Sequence, residues 1–377
     1  MAVDGAFSVF TLYRDSPERR AALAQPPGAP ERYLLFGLDE LVRRGIRVRH
    51  NLERQGPPPA WARAADAALN RPLYAAGGYG GDFASVLLFL RAANTADVVF
   101  STVDTVGLPL VLLARAGLVH PPVVYTAVGL PERLAQLRGE RVRRLYAAAL
   151  RRPQAIITYA ESEADRLRSW LGPGGPPVVF VPFGVDVTAF RPVPERAPDA
   201  DVVSVGADPR RDFGLLAHIA GRRPEWRVRI VATADRARSL GVLPANVVVE
   251  TDITLGQVRD RLAGARVVAL PVRDNSYSGA TTVLLQAMAM GKPVVVSRTE
   301  AIAGGYGLED GINCRLVEPG NPNEFEQAVL ELLADDEAAA ALGSRARETV
   351  ERRHSWDRYT DAIRETLSGV ARSVTTS

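Results

Sequence analysis

Short runs rich in valine and isoleucine alternate with segments of helical period along almost the whole chain, and the alternation breaks only once. Before the break, residues 7–12, 46–50, 98–101, 123–126, 155–159 and 178–181 read as strands. Residues 31–44, 83–93, 108–116 and 162–171 read as helices. Residues 14–30 are polar and carry prolines, so a long loop is expected there. After the break, strands are expected at 202–205, 228–232, 247–249, 267–270 and 294–297. Helices are expected at 214–220, 255–262 and 283–290, with two amphipathic ones at 324–333 and 337–352. Runs such as Val294, Val295 and Val296 have no polar alternation, which suits strands covered on both faces. Strands alternating with helices imply parallel sheets with right-handed crossovers. The break is proline-bearing, with a linker at 192–198, and 377 residues suit two domains better than one. The expected class is therefore α/β, in two similar halves.

Residues 278–297 carry the strongest chemical signal. Ser278, Gly279, Ala280, Thr281 and Thr282 have little bulk, so a ligand can approach the backbone. A helix starting there leaves its first N–H groups unpaired at the positive end of its dipole, which makes a phosphate site. Gln286 shares a helix face with Thr282 and can reach a group beyond the phosphates. Gly291 suits the helix end, and Pro293 follows where the helix cannot continue. A second cation signal is Arg211, preferred to Arg210, in the segment that follows the strand 202–205. A guanidinium there can pair two phosphate oxygens. Both signals fall at carboxyl ends of strands in one sheet, where doubly wound folds bind ligands.

The run from Ala287 to Val294, Ala-Met-Ala-Met-Gly-Lys-Pro-Val, resembles the donor loop of glycosyltransferase family 4. These are the retaining nucleotide-sugar enzymes of GT-B architecture. The segment 182–192, with Pro-Phe-Gly-Val-Asp and Phe-Arg-Pro, resembles the family's interdomain segment, and the end from His354 resembles its closing helix. The resemblance covers most of residues 182–367 and is only architectural before them. It implies two Rossmann-like doubly wound domains facing a cleft. An acceptor-binding domain is expected at 1–186 and a nucleotide-sugar-binding domain at 187–354, with 355–377 crossing back as a helix and tail. Sugar would move from a nucleotide-diphosphate sugar to an acceptor hydroxyl with retention, the departing phosphate acting as base, and with neither metal nor cofactor. The diphosphate would be held by Arg211, Gly279, Ala280, Thr281 and Thr282, and the ribose by Gln286. Ser278 stands at the family's first acidic position, which contacts the donor sugar, and Gln286 at its second. Ala207 replaces the family's first cation. Tyr277 and Asn275 are candidates for shaping the sugar pocket or simply for making the turn.

In the first half, Asp104 is the candidate for acceptor binding and catalysis, weighed against a helix cap. The loop 126–129 also follows a strand and lacks the family's histidine, and Glu161 and Arg14 follow strands too. Residues 138–152 hold six arginines. They form either a solvated helix face with Leu145, Leu150 and the alanines inward, or, as in some family members, a contact with anionic lipid at the inner membrane face.

Composition narrows the alternatives. The single cysteine, Cys314, excludes a disulfide framework, and the four histidines lack metal-ligand spacing. No secretory signal opens the sequence and no apolar run is long enough to span a membrane, so a cytoplasmic protein is expected. Forty-five of the 46 basic residues are arginine, which fits a GC-rich bacterial genome. Residues 1–190 hold 22 arginines against 17 acids, an imbalance too modest to imply nucleic acid. The rival readings are a non-catalytic partner that kept the fold, a nucleotide-sugar epimerase, and a sugar phosphorylase. Lys292 is out of place for the pyridoxal that a phosphorylase needs.

Overall fold

The computed structural model describes residues 7–275, 277 and 279–375. The chain forms two compact units, Met1–Val181 with Thr360–Ser377, and Pro182–Tyr359.

The first unit is built on a six-stranded sheet. Its strands are β1 (Ser8–Leu12), β2 (Arg47–His50), β3 (Val98–Ser101), β4 (Val123–Ala127), β5 (Ala155–Thr158) and β6 (Val178–Phe180), in the order β2-β1-β3-β4-β5-β6. Every neighbouring pair is parallel, with Val9 opposite both Val48 and Val98, and Val99 opposite Val123. Every residue of β3, β4 and β5 is buried, as strands covered on both faces require. β2 lies at the edge and leaves Arg47 and Arg49 exposed. Phe10, Leu12, Val99, Tyr125 and Ile156 join Leu110, Leu134 and Leu167 in one core.

The second unit repeats the plan. Its strands are β7 (Ala200–Val205), β8 (Val228–Ala232), β9 (Val247–Thr251), β10 (Ala265–Leu270), β11 (Val294–Ser297) and β12 (Arg315–Val317), in the order β12-β11-β10-β7-β8-β9 and all parallel. Val202, Ile230, Val267 and Val295 meet Leu216, Phe325 and Val329 in its core. From β7 the chain winds one way to β8 and β9, and afterwards the other way to β10, β11 and β12. The carboxyl ends of β7 and β10 therefore flank the point where winding reverses, which opens a crevice outside the sheet. The first sheet has the same reversal between β1 and β3.

Three expectations need correction, and β12, like the helix Ala60–Ala75, has no counterpart in the sequence reading. The helix expected at 31–44 is two pieces, a 3₁₀ turn Pro30–Leu35 and an α-helix Leu38–Arg43. Phe36 (φ 51°) and Gly37 (φ 89°) break it in left-handed conformations. A side chain at Gly37 would stand 2.9 Å from Thr360 Cγ2, so the break follows a tight approach within this unit. The loop expected at 14–30 contains the helix Pro17–Ala24, whose N-cap Ser16 accepts a hydrogen bond from the Arg19 amide. The helix expected at 108–116 starts earlier, at Asp104.

The closing helix, Trp356–Thr375, contributes its first turn to the second unit and the rest to the first. Among the described residues no helix is long and apolar enough to cross a membrane.

Candidate functional site

At the crevice of the second unit, the segment after β7 turns back and is laced to the segment after β10. Arg211 makes an antiparallel bridge with Val272. The Asp212 amide donates to Pro271 O at 2.9 Å, and the Arg273 amide to Arg210 O at 2.8 Å. Arg236, on the short helix Ala234–Arg238 after β8, pins the same turn: its Nη2 donates to Pro209 O at 2.7 Å and to Arg211 O at 2.9 Å.

This framework fixes Arg211 in an unusual place. Its side chain is among the largest fully buried ones, with 1% of the residue exposed. The guanidinium lies against Gly206, where any side chain would come within 2.4 Å of Nε. Nε and Nη1 have no hydrogen-bond partner among the described residues. Burial pushes its pKa down to about 10, only partly opposed by the Asp208 carboxylate. A buried cation with two nitrogens left without hydrogen bonds is costly, and Asp208 offsets only part of that cost; a bound anion would offset the rest.

On the facing segment, the Val272 amide donates to Ser297 Oγ at 2.9 Å. Asn275 makes the turn: its Nδ2 donates to Arg273 O and its Oδ1 accepts from the Tyr277 amide. The Tyr277 hydroxyl donates to Asp208 Oδ1 at 3.0 Å, so it ties the two segments together. Ser278 lies outside the described residues. The Gly279 amide donates back to Tyr277 O at 2.8 Å, and the helix Thr281–Ala289 then begins at the N-cap Ala280 with no side-chain cap. Its first in-helix bond from this cap is Leu284 N to Ala280 O at 3.0 Å, which leaves the amides of Thr281, Thr282 and Val283 outside the helical ladder. Thr281 is buried and its Oγ1 has no partner among the described residues; the same holds for Ser204 Oγ on β7 and Thr299 Oγ1 after β11. Thr282 is half-buried, and Gln286 is 3% exposed on the same helix. Unpaired donors thus gather near the carboxyl ends of β7, β10 and β11.

In the first unit, Asp104 opens the helix Asp104–Arg115 beside the reversal between β1 and β3, but it does not reach solvent. Its carboxylate accepts a short hydrogen bond from the Tyr125 hydroxyl and bonds of 3.3 Å from the Val128 amide, and lies 3.8 Å from Arg133 Nε. Burial outweighs these contacts and raises its pKa to about 6. Glu163 is also fully buried, and its Oε1 accepts from the Gly129 and Leu130 amides at 2.7 and 3.1 Å. Burial first, and the Asp104 charge second, push Glu163 well above the usual carboxylate range. Two buried carboxyls therefore hold three successive amides of the loop after β4. The Arg133 guanidinium lies 4.1 Å over the Tyr79 ring. Sequence reasoning passed over Glu163, Asp208 and Arg236, because their partners are distant in the chain. Glu161 and Arg14 are exposed.

A cleft of about 810 Å³ opens beside the carboxyl ends of β1 and β2, lined by Asp15, Arg20, His50, Leu52, Glu53 and Pro57 among others. Arg20 is already paired with both oxygens of Asp15. On the helix Glu140–Leu150, Tyr146, Ala149 and Leu150 face inward, while Arg141, Arg143 and Arg144 are exposed. Leu145, expected inward, is 40% exposed. Among the described residues no group of three His, Cys, Asp or Glu side chains is placed to hold a metal ion.

Known proteins resemble this chain in sequence and in fold. Residues 193–335 match the family model "Glycosyl transferases group 1", and residues 28–184 match "Glycosyl transferase 4-like domain". Curated relatives include a D-inositol 3-phosphate glycosyltransferase of Kineococcus radiotolerans, 28% identical over 51% of this chain and 52% of the relative. Another is an MMP alpha-(1->4)-mannosyltransferase of Mycolicibacterium hassiacum, 26% identical over 53% of this chain and 50% of the relative. The chain thus spans about half the length of the curated relatives it matches. Among solved structures, the sucrose-phosphate synthase of Thermosynechococcus elongatus superposes with a TM-score of 0.73 at 17% identity, covering 97% of this chain and 100% of that one. HepE of Anabaena, solved with UDP-glucose, gives 0.67 at 16% identity, covering 96% and 100%. These likenesses establish the GT-B fold.

Proposed function

The chain belongs to the group 1 glycosyl transferases, and from that premise we propose that it moves a sugar from a nucleotide-diphosphate sugar to an acceptor hydroxyl. The donor would lie in the second unit. Its diphosphate would lie against Gly279, whose own amide is committed to Tyr277 O, and take the amides of Ala280, Thr281 and Thr282 and the guanidinium of Arg211, and its ribose would meet Gln286. The observation that carries this reading is Arg211, buried with two guanidinium nitrogens lacking partners among the described residues. Related structures solved with UDP and with UDP-glucose support a nucleotide-sugar donor.

The mechanism follows from charge. Breaking the sugar–phosphate bond leaves negative charge on the diphosphate, and fixed donors already aimed there stabilise it without reorganising. Arg211 and the first turn of the helix Thr281–Ala289 are such donors, so the departing phosphate needs no metal ion. We read the transfer as retaining, with that phosphate taking the acceptor proton. Ser278 would meet the donor sugar. Asp104 would act in the first unit by positioning, through the loop after β4, because its carboxylate is enclosed.

The acceptor would enter the cleft beside β1 and β2. Arg20 is committed to Asp15 there, and burial keeps His50 below its usual pKa. With Asp15 equally committed, the cleft offers the Glu53 carboxylate and apolar surface and suits an uncharged polyol better than a phosphorylated one. The exposed arginines of the helix Glu140–Leu150 would rest on anionic lipid. Phosphatidylglycerol vesicles should sediment the wild type and release a variant with Arg141, Arg143 and Arg144 changed to Glu; equal sedimentation of both would remove this contact.

Thermal-shift measurements with UDP, GDP, ADP and dTDP test the donor site. One nucleotide at 100 times its Kd should stabilise the protein by about 2.7 kcal/mol. Arg211→Ala should abolish that gain. No gain with any of the four would contradict the reading. Binding without transfer would favour a non-catalytic partner, a rival kept in play by the neutral Ser278 and Gln286 at the family's two acidic positions.

A further inference from the structure

We propose that Asp208 reads the donor sugar, its carboxylate accepting hydrogen bonds from sugar hydroxyls beside the phosphate loop. This rests on the donor site proposed above.

Asp208 is half-buried on the turn after β7. One oxygen is fixed twice: Oδ1 accepts from the Arg210 amide at 2.7 Å and from the Tyr277 hydroxyl at 3.0 Å. The other lies directly on the phosphate loop. A side chain built at Gly279 would stand 2.7 Å from Asp208 Oδ2 and 2.8 Å from its Cγ, so only glycine admits the carboxylate here. The side chain is thus held from both segments that frame the crevice, with its second oxygen against the loop.

The placement selects a function by charge. A carboxylate facing a bound diphosphate repels it, whereas one facing hydroxyls makes strong charge-assisted bonds. A sugar joined to the terminal phosphate sits next to the loop that holds that phosphate, within reach of Oδ2. The buried Arg211 charge, which Asp208 feels, offsets the carboxylate's repulsion of the phosphates. Asp208 therefore suits the sugar end of the donor and discriminates between sugars by the direction of their hydroxyls.

Calorimetric titration of the full chain separates the possibilities. UDP and UDP-glucose, GDP and GDP-mannose, ADP and ADP-glucose, and dTDP and dTDP-glucose are titrated into the wild type, Asp208→Asn and Tyr277→Phe. For the pair that the wild type binds, Asp208→Asn should weaken the nucleotide sugar by about tenfold or more, as loss of a charged hydrogen bond implies, and leave the bare nucleotide within about twofold. Tyr277→Phe, which keeps the carboxylate but removes one of the two bonds on Oδ1, should give a smaller loss in the same direction. Equal weakening of nucleotide and nucleotide sugar would make Asp208 a loop tie and overturn the proposal. Equal tightening would make it a repulsive neighbour of the phosphates, and no change would make it a bystander; either overturns the proposal too. A wild type that binds none of these ligands fails before any substitution is made, and takes the donor site down with this inference.

Discussion

Arg211 and Asp104 show opposite uses of burial. Arg211 is sealed in with Nε and Nη1 lacking partners among the described residues, which suits the anion-holding role proposed for it. Asp104 is sealed in with its oxygens engaged, the mark of a residue that shapes its surroundings. A folded pKa near 6, above the usual value of 3.8, means the folded state holds the Asp104 proton more tightly than the unfolded chain does. Its contribution is therefore fully present below pH 3.8 and fades as pH rises through 6. Stability should fall by about 1 kcal/mol from pH 5 to pH 7 through this group. Denaturant titrations at both pH values should show Asp104→Asn losing that part of the slope; an unchanged slope would mean that Asp104 is ionised throughout. Arg211 could be singled out in the sequence because it falls where the family resemblance expects a cation, although its burial could not be read there. Glu163 and Asp208 could not be singled out, since a carboxylate's worth depends on which amides the fold brings to it.

At the scale of elements, the buried strands were the most legible part. An unbroken run such as Val294–Ser297 leaves no other reading once Gly291 and Pro293 end the helix before it. The misreadings fell where tertiary contact overrode local pattern. Leu34, Leu35, Leu38, Leu41 and Val42 keep a helical period, yet the helix breaks at Phe36 and Gly37. There the Tyr13 hydroxyl donates to Leu35 O at 2.8 Å and the Phe36 ring stacks on Tyr159. The helix Asp336–Arg353 shows the converse, a glycine kept inside a helix for packing. A side chain at Gly343 would fall 2.1 Å from Gly291 O, at the end of the helix Thr281–Ala289. Gly343→Ala should therefore cost more than 1 kcal/mol, although alanine favours helix by about that amount. Chemical denaturation checks this, and a neutral or stabilising effect would show that the two helices separate freely.

For the whole molecule, the repeated sheet order gives each unit one reversal of winding, and each reversal has its own polar cluster. The two-part plan was legible from strand–helix alternation and one proline-bearing break. The division at Val181 and Tyr359, with the closing helix shared, depends on packing that no local pattern carries. The central claim is that a nucleotide-diphosphate donor binds in the second unit on Arg211 and the loop before Thr281. Hydrogen–deuterium exchange with and without UDP, or whichever nucleotide stabilises the protein, tests it most directly. Slowed exchange confined to residues 206–212 and 279–284, and absent in Arg211→Ala, is the predicted result. Protection in the first unit alone, or equal protection with and without Arg211, would contradict it.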